Sequence, residues 1–169
     1  MPEGDASVDV AVCLYSVLSH LPLTSLPPVV SELARVTRGS FITTVRAIGS
    51  TPTVFVGSLD GARRFERDHD SDQCDIEFAD GRHLAVRFHL FTAAELRRQF
   101  ASHFEIEDLC GLDLFHGRFS PDPRWNPLPV RFDPRLANLL AWLEERYARN
   151  PSMMDRATHL MLVGHPRRA

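Results

Sequence analysis

VDVAVCLYSVLSHLP, residues 8–22, carries the strongest indication of the fold of this chain. Residues 8–14 alternate as in a strand, and Asp9 is the only charged residue among them, so both faces of the strand are nearly apolar. Such a strand is typical of a parallel sheet covered by helices on both sides. Tyr15 to Leu21 then predict a short helical turn that Pro22 closes. Tyr15, Ser16 and His20 either line a functional site at this strand end or satisfy its backbone.

The composition is that of an ordinary globular protein. The 169 residues are 44% hydrophobic and 24% charged, with a formal net charge of -3. This length predicts a single domain, residues 1–169, with a sizeable core. The charge balance offers no electrostatic attraction for nucleic acid, so no nucleic-acid partner is expected. Lysine is absent, which excludes a Schiff-base lysine and a phosphate-loop lysine.

Cysteine usage and hydropathy indicate the compartment. Cys13, Cys74 and Cys110 are odd in number and far apart, which predicts neither a disulfide framework nor a cysteine zinc site. No apolar run approaches the roughly 20 residues that cross a bilayer, and no basic-then-apolar leader opens the sequence. A cytoplasmic protein without a membrane segment is therefore expected.

The residues after the first strand continue an α/β pattern. Ser25 to Arg38 predict a helix with prolines in its first turn and Gly39 as a left-handed stop. Ser40 to Ala47 predict a second strand, rich in β-branched residues. A strand, a helix and a strand in this order predict a right-handed parallel crossover. Residues 48–67 carry a weaker pattern, in which 59–67 could form one or two helical turns.

Asp80-Gly81 predicts a β-hairpin, inserted at about residues 73–90. The two residues separate strand-like runs at 74–79 and 82–90, and this dipeptide favours a type I′ turn. His83, Arg87 and His89 share one face of the second strand. No third ligand has a recognisable spacing, so no metal site is predicted. The acidic residues before the hairpin lack the glycine and glutamate of a calcium loop, and a solvated loop is favoured.

The C-terminal half begins with a capping box, Thr92 to Glu95, that predicts a helix to about Ser102. Residues 103–109 predict a strand, and 158–164, THLMLVG, predict the last one. Between them, residues 111–150 predict a long irregular segment followed by a helix from Pro134. The segment contains Phe115, His116 and Trp125, which favours a lid over a pocket, with a packing loop as the alternative.

Three stretches together resemble the class I S-adenosylmethionine-dependent methyltransferases. They are residues 8–22, ELARVTRGSFI at 32–42 and FHLFTAAEL at 88–96. The first strand resembles the fourth strand of that family, with Asp9 as its acidic residue and His20 in its turn. The resemblance implies an α/β fold: a partial Rossmann-like methyltransferase fold with a mixed sheet, whose parallel strands are joined by an antiparallel last strand.

The resemblance also implies roles for individual residues. His20 corresponds to the catalytic base, and Cys13, Leu14 and Tyr15 would contact the cofactor S-adenosylmethionine. The small-molecule substrate pocket would be formed by Ser16, Arg87, His89, Phe115, His116 and Trp125. Arg46 and Arg87 could bind an acidic substrate, or pair with acidic residues on neighbouring strands.

One part of the family pattern is missing. The glycine-rich turn that approaches the cofactor has no counterpart, because Gly49, Gly57 and Gly61 are too widely spaced. We therefore expect the C-terminal part of a methyltransferase-like domain, a fragment or a degenerate member, inactive alone and requiring a homodimer or a missing N-terminal half. The alternative is a non-enzymatic α/β binding or dimerisation module. A hydrolase is disfavoured because the sequence contains no G-x-S-x-G turn.

Overall fold

A computed structural model describes residues 3–50, 62–68, 70–115 and 134–168. Its strands are β1 (Val8–Cys13), β2 (Thr37–Arg46), β3 (Ala62–Asp68), β4 (Gln73–Phe78), β5 (His83–Arg87), β6 (Phe104–Leu112) and β7 (His159–Pro166). Its α-helices are α1 (Leu26–Val36), α2 (Ala93–Phe100), α3 (Pro134–Tyr147) and α4 (Pro151–Met154). A short 3₁₀ helix, Val17–His20, follows β1. None of the helices within these ranges is long and apolar enough to cross a membrane.

Four strands form the main sheet, in the order β1-β2-β7-β6. β1 and β2 are parallel and are joined through α1, whereas β7 is antiparallel to both of its neighbours, β2 and β6. The predicted α/β fold, with parallel strands and an antiparallel last strand, is confirmed. The sheet is an open, partial Rossmann-like one, and β1 lies at its edge.

The two faces of this sheet are covered unequally. On the closed face α1 and α2 pack against each other and against the strands. Phe41 is the centre of this core, with its ring centroid 5.5 Å from that of Phe100 and 5.2 Å from that of Phe104. On the opposite, open face, Val10 and Val12 are exposed, and Ile42 and Val163 are only partly buried.

The transition from α1 to β2 differs from the prediction. Gly39 was expected to end the helix in a left-handed conformation, but α1 ends at Val36 and Thr37 is already extended, with φ -81° and ψ 128°. Gly39 lies inside β2 instead. A Cβ atom at Gly39 would lie 2.6 Å from the backbone oxygen of Asp9. The glycine therefore permits the close approach of β1 and β2.

The predicted hairpin is confirmed as β4 and β5, and a third strand joins it in the order β3-β4-β5. Residues 62–67, considered above as helical turns, belong to β3. The prediction of a type I′ turn was also wrong, because that turn needs a positive φ at both central residues, and only Gly81 has one, at 84°. Gly81 N–H donates to the Phe78 carbonyl oxygen at 3.0 Å, and Phe78 N–H donates to the Arg82 carbonyl oxygen at 2.9 Å. This pattern is that of a three-residue loop with a bulge glycine.

The second hairpin strand is shorter than predicted. β5 ends at Arg87, and residues 88–91 return to the main sheet, where Phe91 N–H donates to the Arg46 oxygen at 2.8 Å. The capping box is confirmed on its hydroxyl side, since Glu95 N–H donates to Thr92 Oγ1 at 3.1 Å. α2 ends at Phe100, earlier than predicted.

Strand β6 runs to Leu112, so the predicted irregular segment begins later than residue 111. Most of the predicted lid, including His116 and Trp125, lies outside the described residues. The lid remains a prediction. Helix α3 begins at Pro134, where a proline at the first helical position was expected.

Candidate functional site

One end of the main sheet collects the candidate functional residues. β1, β2 and β6 end there and β7 begins there, and the register pairs His159 with both Arg46 and Leu112. In open α/β sheets, ligands bind in the crevice outside the carboxyl ends of the strands. The residues that follow β1 lie at this end of the sheet, next to the exposed edge.

The turn after β1 has a strained backbone. Tyr15 and Ser16 both have positive φ values, 56° and 59°. Neither is a glycine, and such conformations cost about 1–3 kcal/mol each and cluster at ligand sites. Tyr15 is 92% exposed, whereas Ser16 is 3% exposed. Among the residues that the structure describes, the buried Ser16 hydroxyl has no hydrogen-bond partner.

Ser19 connects three segments at this end of the sheet. Its buried Oγ accepts a hydrogen bond from the Arg46 N–H at 3.0 Å, and its carbonyl oxygen accepts one from the His89 N–H at 2.7 Å. The 3₁₀ helix is thus joined to the end of β2 and to residues 88–91. The sequence offered no motif for this role, because the contacts link residues far apart in the chain.

His20 is held by its neighbour on the hairpin. Its Nδ1 lies 3.1 Å from the carbonyl oxygen of Arg87, and its ring meets the Phe88 ring edge-on at 5.0 Å. Because a carbonyl oxygen only accepts, Nδ1 carries the proton in this contact. The neutral ring then has its lone pair on Nε2. The structure therefore brings two predicted site residues together, His20 through its ring and Arg87 through its backbone.

His89 has a different environment. Its Nδ1 lies 2.6 Å from Asp72 Oδ2 and its Nε2 lies 3.0 Å from Glu95 Oε2, and the side chain is 12% exposed. Arg67 pairs with the same aspartate at 3.3 Å. Both ring nitrogens are engaged by carboxylates, which favours an anchoring role that ties the small sheet to α2. Neither Asp72 nor Glu95 was predicted as a partner of His89.

Arg46 ends β2 with its side chain over the Phe88 ring, at 5.9 Å from the centroid. It also donates to Ser50 Oγ at 3.3 Å. Burial lowers the pKa of Arg46, and the nearby Asp113 carboxylate acts in the opposite direction. Arg87 is exposed. The Arg46 side chain therefore lies beside Phe88, whose ring contacts His20, whereas Arg87 contacts His20 through its backbone.

The predicted cofactor residues follow the last part of β1. Cys13 ends the strand, and its carbonyl oxygen accepts a hydrogen bond from Thr43 Oγ1 at 2.8 Å. Burial raises the pKa of the Cys13 thiol, so this group stays protonated near neutral pH and acts as a packing residue. Leu14 is 40% exposed and leads directly into the Tyr15 turn.

Phe115 lies beyond the end of β6, where it is held from α3. The backbone N–H groups of Leu114 and Phe115 both donate to the Glu144 carboxylate, at 3.1 and 2.9 Å. The Phe115 ring contacts Tyr147 edge-on at 6.2 Å. Phe115 also packs against the main core, so its described contacts join α3 to that core.

The described residues contain no group of three or more histidine, cysteine or acidic side chains arranged to hold a metal ion. A polar groove of about 190 Å³ lies on the small sheet. Its lining consists of Arg64, Glu66, Asp75, Glu77 and His83. None of the predicted site residues contributes to it.

The fold and site define an open, mixed α/β sheet with a strained turn at its carboxyl end. A similar architecture is found in the crystal structure of the PH0226 protein from Pyrococcus horikoshii OT3, with a TM-score of 0.56 and 14% sequence identity. The match covers 99% of this chain and 55% of that chain. This chain therefore spans about half the length of that structure, and at this identity the likeness concerns the fold alone. No protein-family model matches the sequence, and no curated protein matches it significantly.

Proposed function

We propose that this chain takes part in methyl transfer from S-adenosylmethionine to a small-molecule acceptor. The observation that carries the proposal is the Tyr15-Ser16 turn, which places a buried hydroxyl without a described partner on a strained backbone at the carboxyl end of β1. A strained turn and an unpaired buried hydroxyl both lower the stability of the fold. Such features are typical of ligand sites, where the ligand supplies the missing partner.

The described residues fit part of the cofactor. Ser16 Oγ can donate to a carboxylate or a ribose oxygen, and the exposed Leu14 and Tyr15 side chains offer apolar surface for the adenosine. The glycine-rich turn of the family is absent from the sequence. The chain alone therefore offers only part of a cofactor-binding site, and we expect it to bind S-adenosylmethionine weakly. When bound, S-adenosylmethionine supplies the methyl group.

His20 is the proposed proton acceptor. The Arg87 carbonyl oxygen accepts a hydrogen bond from Nδ1–H, so the lone pair on Nε2 is available to take a proton from the methyl acceptor. Arg46 and Arg87 are the proposed partners of a carboxylate on the methyl acceptor. In such a reaction the protein chiefly aligns the acceptor and removes its proton.

The test is a titration of the chain with S-adenosylmethionine, in which NMR monitors the chemical shifts of the backbone amides. We expect shifts concentrated at residues 14–17. Ser16→Ala should weaken binding by roughly 3-fold to 10-fold, the value of one neutral hydrogen bond. The same substitution should raise the free energy of unfolding by about 1 kcal/mol, because it removes an unsatisfied buried hydroxyl.

Ser7→Ala is the matched control, because Ser7 is exposed and its hydroxyl donates to the Gly4 oxygen at 2.7 Å. This variant should leave binding unchanged. Shifts elsewhere in the chain, or equal affinity for Ser16→Ala and the wild type, would contradict the proposed site.

A second candidate function is a non-enzymatic α/β binding or dimerisation module. The exposed apolar side chains along β1 favour it, because contiguous exposed apolar surface marks interaction sites. Binding of S-adenosylmethionine at the Tyr15-Ser16 turn would argue against this alternative.

A further inference from the structure

The outer flank of β1 is apolar and open. We use the name β1 flank for the exposed side chains of Val10, Val12, Leu14 and Val17, which are 52%, 55%, 40% and 53% exposed. Among the strands that the structure describes, β1 pairs with β2 alone and is the terminal strand of its sheet. Edge strands of stable monomers are usually protected by charges, prolines or bulges. In β1 these devices are confined to the first half, where Asp9 is charged and pairs with Arg38 and the register with β2 shifts between Val8 and Val10. Residues 11–14 carry no charge and no proline.

One apolar row crosses the open face of the sheet, next to rows that contain Ser40 and Thr44 of β2. Val12 pairs with Ile42 on β2, and Ile42 pairs with Val163 on β7, so the three side chains form one row. Exposure decreases along this row, from Val12 at the edge to Ile42 and Val163, which are partly buried. Buried side chains of α1 and α2 belong to the core cluster on the other face, with Phe41 and Val45.

Parallel strands rarely tolerate this arrangement. All-parallel sheets occur almost only with both faces covered, and β1 and β2 are the parallel pair of this mixed sheet. A partner that satisfies β1 must therefore do two things: extend the sheet beside β1 and cover the row from Val12 to Val163. A helix connected to an added strand can do both, as in a strand-helix-strand unit.

A second copy of this chain fits poorly. A two-fold dimer formed by antiparallel pairing of β1 with itself has its axis perpendicular to the sheet, which leaves both open faces on the same side. Val10 and Val12 would remain uncovered. By contrast, the similar crystal structure uses only 55% of its length for the part that corresponds to this chain. The rest of such a fold is large enough to supply strands and helices.

We propose that the β1 flank binds a polypeptide partner that adds a strand parallel to β1 and packs an apolar helix over Val10 and Val12. The proposal is independent of methyl transfer, because it rests on the sheet edge and its open face. The partner is recognised by its chemistry: an apolar, β-branched strand followed or preceded by an amphipathic helix.

The test is affinity selection with the intact chain as bait, from a display library of polypeptide fragments of the genome that encodes it. Each selected fragment is sequenced and measured against three baits: the wild type, Val12→Lys and Leu139→Lys. Leu139 is a matched control because it is 50% exposed and lies on α3. Hydrogen exchange then locates the contact.

We expect a selected fragment with the strand and helix pattern, bound in a one-to-one complex that protects the amides of residues 9–14. Val12→Lys should weaken it by roughly tenfold or more, since the substitution places a charge where a valine would be buried. Leu139→Lys should bind as the wild type does. Since Val12 is exposed in the chain alone, the lysine variant should fold normally, which circular dichroism checks.

Three results would overturn the proposal. The first is selection of this chain's own fragments alone, with a homodimer in sedimentation. The second is a fragment that binds Val12→Lys as tightly as the wild type or protects another surface. The third is a selection that yields no fragment with the strand and helix pattern.

Discussion

The closed and open faces of the main sheet are built from the same strands but differ in how deeply their side chains are buried. On the closed face, Phe41 and Val45 of β2 and Leu160 and Leu162 of β7 are 0% exposed. On the open face, the alternate residues of the same strands are partly buried, and those of β1 are exposed. Val10 and Val12 on the open face are the same residue type as the buried Val45, although β2 places Ser40 and Thr44 on the open face beside Ile42. Hydrophobicity therefore specifies what can be buried, while the position of α1 and α2 decides what is buried.

The largest effect that separates the two faces should come from Phe41→Ala. The Phe41 ring is fully buried between Phe100 and Phe104, and removal of such a ring costs about 3–5 kcal/mol. Chemical denaturation monitored by circular dichroism measures this loss. A loss below about 1 kcal/mol would mean that the closed face is not the core.

A smaller effect should follow from His89→Ala, which tests the polar boundary of the closed face. The substitution leaves Asp72 and Glu95 without their shared partner. We expect a loss of about 2 kcal/mol, less than for a fully buried pair because the groups retain some contact with water. Thermal unfolding measures the loss, and hydrogen exchange should show faster exchange in β4 and β5. The exposed His83, substituted in the same way, is the control.

The smallest effect should come from Val12→Ala on the open face. Val12 is 55% exposed, so truncation removes little buried surface and should change the free energy of unfolding of the isolated chain by about 0.5 kcal/mol or less. The comparison with Phe41→Ala is made in the same denaturation experiment. A loss for Val12→Ala close to that for Phe41→Ala would show that the open face is covered in solution.

Local sequence patterns predicted the elements whose causes are local. The alternation of residues 8–14 predicted β1, and the Thr92 hydroxyl predicted the start of α2. Asp80-Gly81 predicted a hairpin but not its turn, because the Asp80 carboxylate accepts hydrogen bonds from Arg82 N–H at 3.0 Å and Arg82 Nε at 2.7 Å. These contacts accompany a type I conformation that the dipeptide rule does not consider.

The candidate site was predicted in part. The turn at Tyr15, Ser16 and His20 was identified from the strand end, but nothing in the sequence indicated its strain or the orphaned Ser16 hydroxyl. The partners of His20 and His89 are remote in the chain, at Arg87 and at Asp72 with Glu95. Such contacts depend on how residues 88–91 leave β5, which periodicity does not reveal.

Local sequence patterns were sufficient to predict the strand-helix-strand start, the hairpin, the capped helix and the apolar first strand. Those features follow from hydrogen bonding and side-chain periodicity within a few residues. Three features became visible only in the folded chain: β1 is the edge of the described sheet, Gly39 allows β1 and β2 to approach closely, and two carboxylates hold His89. The physical reason is that strand order and long-range ion pairs depend on how the chain folds back on itself. Residues that are distant in sequence become neighbours only then.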